Sequence, residues 1–115
     1  MAHQDGCIFC KIARGEIPVK KHFEDKWVYA IEDLKPAAPT HLLFIPKEHI
    51  ESLVHNEDPQ IMGRIFSAIS QVAKEKGIST KGFRTVINTG EEGGQTVFHL
   101  HVHIMAGKKM SHAMT

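Results

Sequence analysis

The chain has 115 residues, 42% hydrophobic and 23% charged, with 14 basic and 13 acidic side chains and a net charge of +1. That length suits one domain with a real core. The near balance of charge, without a long run of one sign, argues against electrostatic capture of nucleic acid or an anionic membrane.

The opening MAHQDGCIFCKIARGE lacks the long apolar region of a signal peptide, and no stretch is long enough to span a bilayer. A reducing cytoplasm is therefore the expected compartment, which disfavours a structural disulfide between Cys7 and Cys10. After Asp5, the helical spacing of Ile8, Phe9 and Ile12 and the stop signal Gly15 predict a short N-terminal helix. KKHFEDKWVYAIEDL predicts two strands around a turn near Glu24–Lys26, with Trp27, Tyr29 and Ile31 alternating with Val28, Ala30 and Glu32. PAAP breaks that pattern, and THLLFIP makes a short apolar third strand. The clearest helix runs from about Pro59 to Lys76, with Asp58 as N-cap, Pro59 at the first helical position and Gly77 closing the end. Ile61, Ile65, Ile69 and Val72 form its apolar stripe, widened by Met62, Phe66 and Ala73. FRTVIN is a fourth strand, TGEEGGQ a flexible loop and VFHLHVHIMA the fifth strand. The expected architecture is α+β: a five-stranded antiparallel sheet, one long helix to one side and a short N-terminal helix, in a single domain over residues 1–115. Alternating β and α units are missing, which disfavours a Rossmann-like arrangement.

Histidine is over-represented, at nine residues, and three of the nine alternate with aliphatic residues in HLHVHIM. On a strand, His99, His101 and His103 share one face, while Phe98, Leu100, Val102 and Ile104 line the opposite, core face. Same-face neighbours stand about 6.6 Å apart, so His99 and His103 are about 13 Å apart. One metal ion, bonded at about 2.0–2.1 Å, can take a neighbouring pair but not all three without strain. A single histidine there reads as a solvated or hydrogen-bonded side chain; three in strict alternation point to a division of labour. GEEGGQT immediately before them lets backbone N–H groups approach an anion. An imidazole can attack phosphorus and form a covalent intermediate, and a second can serve the leaving group. Cys7 and Cys10 make one C-x₂-C, which alone is open between half a zinc site, redox chemistry and buried thiols. His3, His22, His55 and His112 read as surface residues.

HLHVHIM matches the His-φ-His-φ-His-φ-φ signature, φ being apolar, of the histidine-triad (HIT) superfamily. The resemblance runs through CIFCKIARGEIP, FED, PAAPTHLLFIPKEHI and VINTGEEGGQTVFHLHVHIMAG, nearly the whole chain. It is similar to the Hint branch, the nucleoside phosphoramidate hydrolases, in a small bacterial-type form. The resemblance implies a HIT-like fold and hydrolysis of the P–N bond of purine nucleoside 5′-phosphoramidates, such as adenosine 5′-monophosphoramidate or lysyl-AMP. It makes His101 the nucleophile that forms a nucleotidyl-histidine, and His103 the contact to phosphate and leaving group. Thr96 stands where the family commonly has a serine near the scissile bond, and His41 matches a histidine beside the nucleophile. Asn88, Gly94 and Gln95 match the phosphate site, and Asp33, otherwise a turn residue, matches the carboxylate that accepts both ribose hydroxyls. Leu34, Ile31, Phe9, Ile8, Ile12 and Ile17, otherwise core, match the nucleobase pocket. Cys7, Cys10, His49 and His99 match a structural zinc site, whose closed sphere leaves His101 free. A homodimer is implied, with the tail HAMT near its active site. Two other readings are dinucleoside polyphosphate hydrolysis, as in the Fhit branch, and a non-catalytic nucleotide-binding or interaction module. The segment GGQTVFHLHVHIMAG ranks the first lower, and the intact His101 and Thr96 argue against the second.

Overall fold

The structure, a computed structural model, describes residues 4–111, so His3 and His112 lie outside the described residues. Its elements are helix α1 (Ile8–Ala13), strands β1 (Phe23–Glu24), β2 (Val28–Glu32) and β3 (Thr40–Pro46), a 3₁₀ turn at Leu53–His55, helix α2 (Pro59–Glu75), and strands β4 (Arg84–Val86) and β5 (Val102–Ala106). The five strands form one sheet in the order β1-β2-β3-β5-β4, and every neighbouring pair is antiparallel. Among the described residues, no helix is long and apolar enough to cross a membrane.

Local chemistry explains the long helix. The Asp58 carboxylate accepts the Gln60 N–H at 2.9 Å and Pro59 opens the first turn, which satisfies a donor left orphaned at the N-terminus. At the other end Gly77 turns to φ 74°. Its N–H reaches the Lys74 carbonyl at 3.2 Å, and the Ile78 N–H reaches that of Ala73 at 3.0 Å, the paired bonds of a Schellman motif. Ile61, Ile65, Ile69 and Val72 are buried as the 3.6-residue period requires. Phe66 departs from the expected stripe: it is exposed on the outer side of the helix.

The sheet is buried on both faces, because successive side chains point to opposite sides. Val28, Ala30, Leu42, Phe44, Val102 and Ile104 pack with the stripe of α2. Tyr29, Ile31, Leu43 and Ile45 pack on the other side with Phe9 and Ile12 of α1. The buried Tyr29 hydroxyl donates to the Phe9 carbonyl at 2.7 Å and so ties α1 to β2. Burial also pushes the Tyr29 phenol far up from its ordinary pKa, which keeps this donor protonated.

The last two strands are shorter than the hydrophobic pattern predicts. β4 covers three residues of FRTVIN, and β5 begins at Val102 instead of Val97. The ladders set this limit: β3 pairs with β5 only as far as Phe44↔Val102, and β4 only as far as Val86↔His103. Before Val102 the backbone bends, with the Leu100 N–H bonded to the Ile50 carbonyl at 2.7 Å. His99 and His101 therefore stand on a bend that leads into the sheet, and only His103 is a strand residue. Phe98, expected in the core, is 47% exposed for the same reason.

Candidate functional site

The C-x₂-C segment opens α1. Cys7 is the N-cap, and its sulfur accepts the Cys10 N–H at 3.4 Å. One helical turn thereby aims both thiols the same way. They meet His99, from the bend before β5, and His49, which follows β3. Cys7 Sγ is 3.2 Å from His99 Nδ1, and Cys10 Sγ is 3.4 Å from His49 Nδ1 and 3.6 Å from His99 Nδ1. All four ligand atoms lie within 4.8 Å of one another. A tetrahedral ion with bonds of about 2.3 Å to sulfur and 2.0–2.1 Å to nitrogen has sulfur–nitrogen edges of about 3.6 Å, so the donor set fits such an ion. The Pro46 carbonyl accepts from His99 Nε2 at 2.7 Å, which puts the ring proton there and leaves the Nδ1 lone pair toward the thiols. Burial pushes the Cys10 thiol up from its ordinary pKa, so an ion binding there must displace a proton.

A few ångströms along the chain the second histidine is held differently. His101 Nδ1 lies 2.7 Å from the His99 carbonyl. A carbonyl only accepts, so Nδ1 carries the hydrogen and neutral His101 keeps a bare lone pair on Nε2. The Phe9 ring meets His101 edge-on at 5.2 Å between centroids and His99 at 5.8 Å. α1 therefore carries two of the four metal-ligand candidates and also a wall beside His101.

His103 projects from β5 on the side of the sheet away from α2, cross-strand from Leu43. Its ring lies 5.1 Å from that of His101. His103 Nδ1 is 2.9 Å from His41 Nε2, while Asp33 Oδ2 is 3.4 Å from His41 Nε2 and 3.9 Å from His103 Nδ1. Asp33 Oδ1 accepts the Lys35 N–H at 2.8 Å, so the turn geometry read at this position coexists with a place in the site. Burial first, and then the neighbouring His101 and His41, push the His103 pKa down to about 4 against the opposing pull of Asp33. His103 is thus neutral at pH 7.

The preceding loop is shaped by its own side chains. Gln95 is buried, donates from Nε2 to the Glu51 carbonyl at 2.8 Å and the Val97 carbonyl at 3.1 Å, and accepts the Gly90 N–H on Oε1 at 2.9 Å. Asn88 donates from Nδ2 to the Gly93 carbonyl at 2.8 Å. A Cβ at Gly93 would fall 2.3 Å from the Thr89 carbonyl oxygen, and Gly94 adopts φ 81°, so this turn excludes side chains at both positions. Both hydrogens of the Gln95 amide are thus taken by backbone carbonyls, and the side chain ties the loop to the segment after β3. Thr96 is exposed beside it.

The apolar candidates divide. Phe9, Ile12 and Ile31 are buried together, and Ile17 packs partly buried against them. Ile8 and Leu34 stand in solvent, Leu34 at 95% exposure, so neither is packed with that group. Leu43, which reads as ordinary strand core in the sequence, is buried in the same cluster. His22, expected on the surface, has a side chain only 10% exposed, with Nε2 3.1 Å from Glu32 Oε1. His55 is exposed as expected.

The HIT domain family model matches residues 14–110. Protein HitA of Neisseria gonorrhoeae is 50% identical over 103 residues, which are 88% of this chain and 95% of that protein. The purine nucleoside phosphoramidase of Escherichia coli (strain K12) is 39% identical over 105 residues, 90% of this chain and 88% of that enzyme. Among solved structures, a histidine triad protein from Clostridium difficile superposes with a TM-score of 0.93 at 47% identity, covering 97% of this chain and 99% of that one.

Proposed function

This chain belongs to the HIT family, as a hydrolase of its Hint-like branch, and from that premise we propose that it hydrolyses purine nucleoside 5′-phosphoramidates. The observation that carries the reading is the bare Nε2 of His101, fixed by the His99 carbonyl at 2.7 Å. It occurs in a chain similar over 90% of its length to a purine nucleoside phosphoramidase.

Nε2 of His101 attacks the α-phosphorus and the P–N bond breaks, the departing nitrogen taking a proton from solvent that the attacking water of the second step returns. Water then attacks the nucleotidyl-histidine, releasing a nucleoside 5′-monophosphate and free His101. Splitting one displacement into two is the benefit of a covalent nucleophile. His103, beside His101, contacts the phosphate and the leaving group. Thr96 presents its hydroxyl from the adjoining loop, whose Gly90, Gly94 and Gln95 N–H groups are bonded within the turn and hold its shape. Asn88 and Gln95 act through that loop by holding its shape. Phe9, Ile12, Ile31 and Leu43 provide the apolar surface for the base. Cys7, Cys10, His49 and His99 hold zinc, which supplies a structural brace between α1 and the triad. The protein is read as a cytoplasmic homodimer.

Initial rates on adenosine 5′-phosphoramidates and on diadenosine polyphosphates test the substrate class. The phosphoramidates are expected to turn over faster. A preference for the polyphosphates would move the protein to the other enzymatic reading, and turnover of neither would leave a binding module.

Asp33 lies next to His41 with its side chain partly exposed, and its two oxygens have lone pairs left for a ribose. Asp33→Asn is expected to weaken ribonucleotide binding by about tenfold and to change 2′-deoxynucleotide binding less. A carboxylate accepts two hydroxyls without conflict, whereas an amide turns its NH₂ toward one of them, and charge-assisted bonds are worth about 1.5–3 kcal/mol. Calorimetric titration with the two nucleotides checks this, and equal losses for both would return Asp33 to a turn residue.

A further inference from the structure

We propose that the Ala37 backbone N–H locks His41 as a neutral imidazole protonated on Nε2, and that His41, so held, is a positioning residue that keeps His103 neutral with its own proton on Nε2. The functional consequence rests on the reading of His103 as a contact to phosphate and leaving group; the proton positions do not.

Ala37 N lies 2.9 Å from His41 Nδ1. A backbone N–H only donates, so Nδ1 must present a lone pair. Neutral imidazole has one N–H, which is then on Nε2. That atom is 2.9 Å from His103 Nδ1, a separation with room for a single hydrogen between two nitrogens. His41 supplies it, His103 Nδ1 accepts it, and the remaining proton of His103 sits on Nε2, away from His41.

Charging His103 would put a second N–H on Nδ1, head to head with that of His41. His41 cannot yield by moving its proton to Nδ1 without losing the bond from Ala37. Three groups face the His103 ring. His101, at 5.1 Å between ring centroids, and His41 both oppose a positive charge. Asp33 favours one, but its Oδ2 is 3.9 Å from Nδ1, farther than His41. Burial acts in the same direction as the lock and holds the His103 pKa near 4. At neutral pH His103 therefore meets the substrate as an oriented neutral hydrogen-bond donor rather than as an imidazolium acid. Asp33, His41 and His103 are close enough to hold a cation, with ligand atoms within 4.8 Å of one another. The same lock removes His41 from such a set, since a bare Nε2 beside an accepting Nδ1 would require an imidazolate.

Two-bond ¹H–¹⁵N correlation of the ring nitrogens in the full-length protein reads the proton positions without reference to activity. The expected spectrum at pH 6 has bare Nδ1 and protonated Nε2 for both His41 and His103. A protonated Nδ1 on His41, or a doubly protonated His103 at that pH, overturns the proposal. A pair of nearly isosteric variants tests control by His41. The amide of His41→Gln still offers a donor where Nε2–H stood, whereas the carboxylate of His41→Glu offers only an acceptor with a charge. The Glu variant is expected to move the His103 titration up by about one to three pH units relative to the Gln variant. Equal titration in the two removes His41 from the role. Failure of phosphoramidate turnover with the expected spectrum intact would count against the substrate reading alone.

Discussion

His101→Ala is expected to lower kcat on an adenosine 5′-phosphoramidate by on the order of 10⁴-fold or more, the scale seen when a covalent nucleophile is removed. Among the described residues, the His101 ring combines a bare Nε2, set by the His99 carbonyl at 2.7 Å, with a place 5.1 Å from the His103 ring. Alanine deletes the nucleophile of the two-step route. Binding of the nucleoside monophosphate should change only a few-fold, because Asp33 and the apolar cluster around Phe9 are untouched. Rapid-quench kinetics with mass spectrometry give the direct check: wild type should accumulate a nucleotidyl adduct on His101, and the variant none. Turnover of the variant within tenfold of wild type would reject the covalent mechanism.

The second large effect concerns stability. The protein as purified should carry about one zinc ion per chain, the content of a closed four-ligand site, and Cys10→Ala should lose it. A ligand bound at a thousandfold excess over its dissociation constant stabilises by about 4 kcal/mol. In a domain of this size each kcal/mol moves the midpoint by roughly 4 °C or more, so Tm should fall on the order of 15 °C. His101→Ala should keep both its metal and its Tm, because its ring is held by a backbone carbonyl and contributes no donor to the site. Full zinc in the Cys10 variant, or zinc lost with His101, would show that the brace uses other ligands. At low temperature the Cys10 variant should keep more of its activity than of its stability, since the ion touches no substrate.

Much of this could be read before any coordinates. Helix α2 was legible because each of its signals is local: the cap Asp58, Pro59, the isoleucines at 3.6-residue spacing and Gly77. The four metal-ligand candidates were legible through a family pattern, and folding brings them together. What stayed hidden depends on backbone. A period of two in HLHVHIM reads as strand, yet β5 starts at Val102 because its neighbours stop pairing there. The Pro46, His99 and Ala37 backbone groups that assign the ring protons of His99, His101 and His41 have no side-chain signature. Gln95 fits a polar phosphate-site position, and only its bonds to the Gly90 and Val97 backbone in the loop and to the Glu51 carbonyl after β3 reveal that its amide is engaged. His22 looked like a surface residue until the first strand folded against Glu32.

The contacts from Cys7 and Cys10 to His99 join residues 92 and 89 positions apart. Closures over such separations lose chain entropy before any contact rewards them, so they come late compared with a locally capped helix. During synthesis α2 has its caps and the core residues of β2 and β3 available, while the triad segment, with Leu100, Val102 and Ile104, is still to be made. Until that segment arrives, both cysteines lack their His99 partner and one edge of β3 lacks the strand that pairs with it. The wall that Phe9 forms against His101 is then assembled by the same event that delivers the nucleophile. A partly made chain has helix and sheet but no hydrolytic centre, and the reactive imidazole becomes available only when its shelter does.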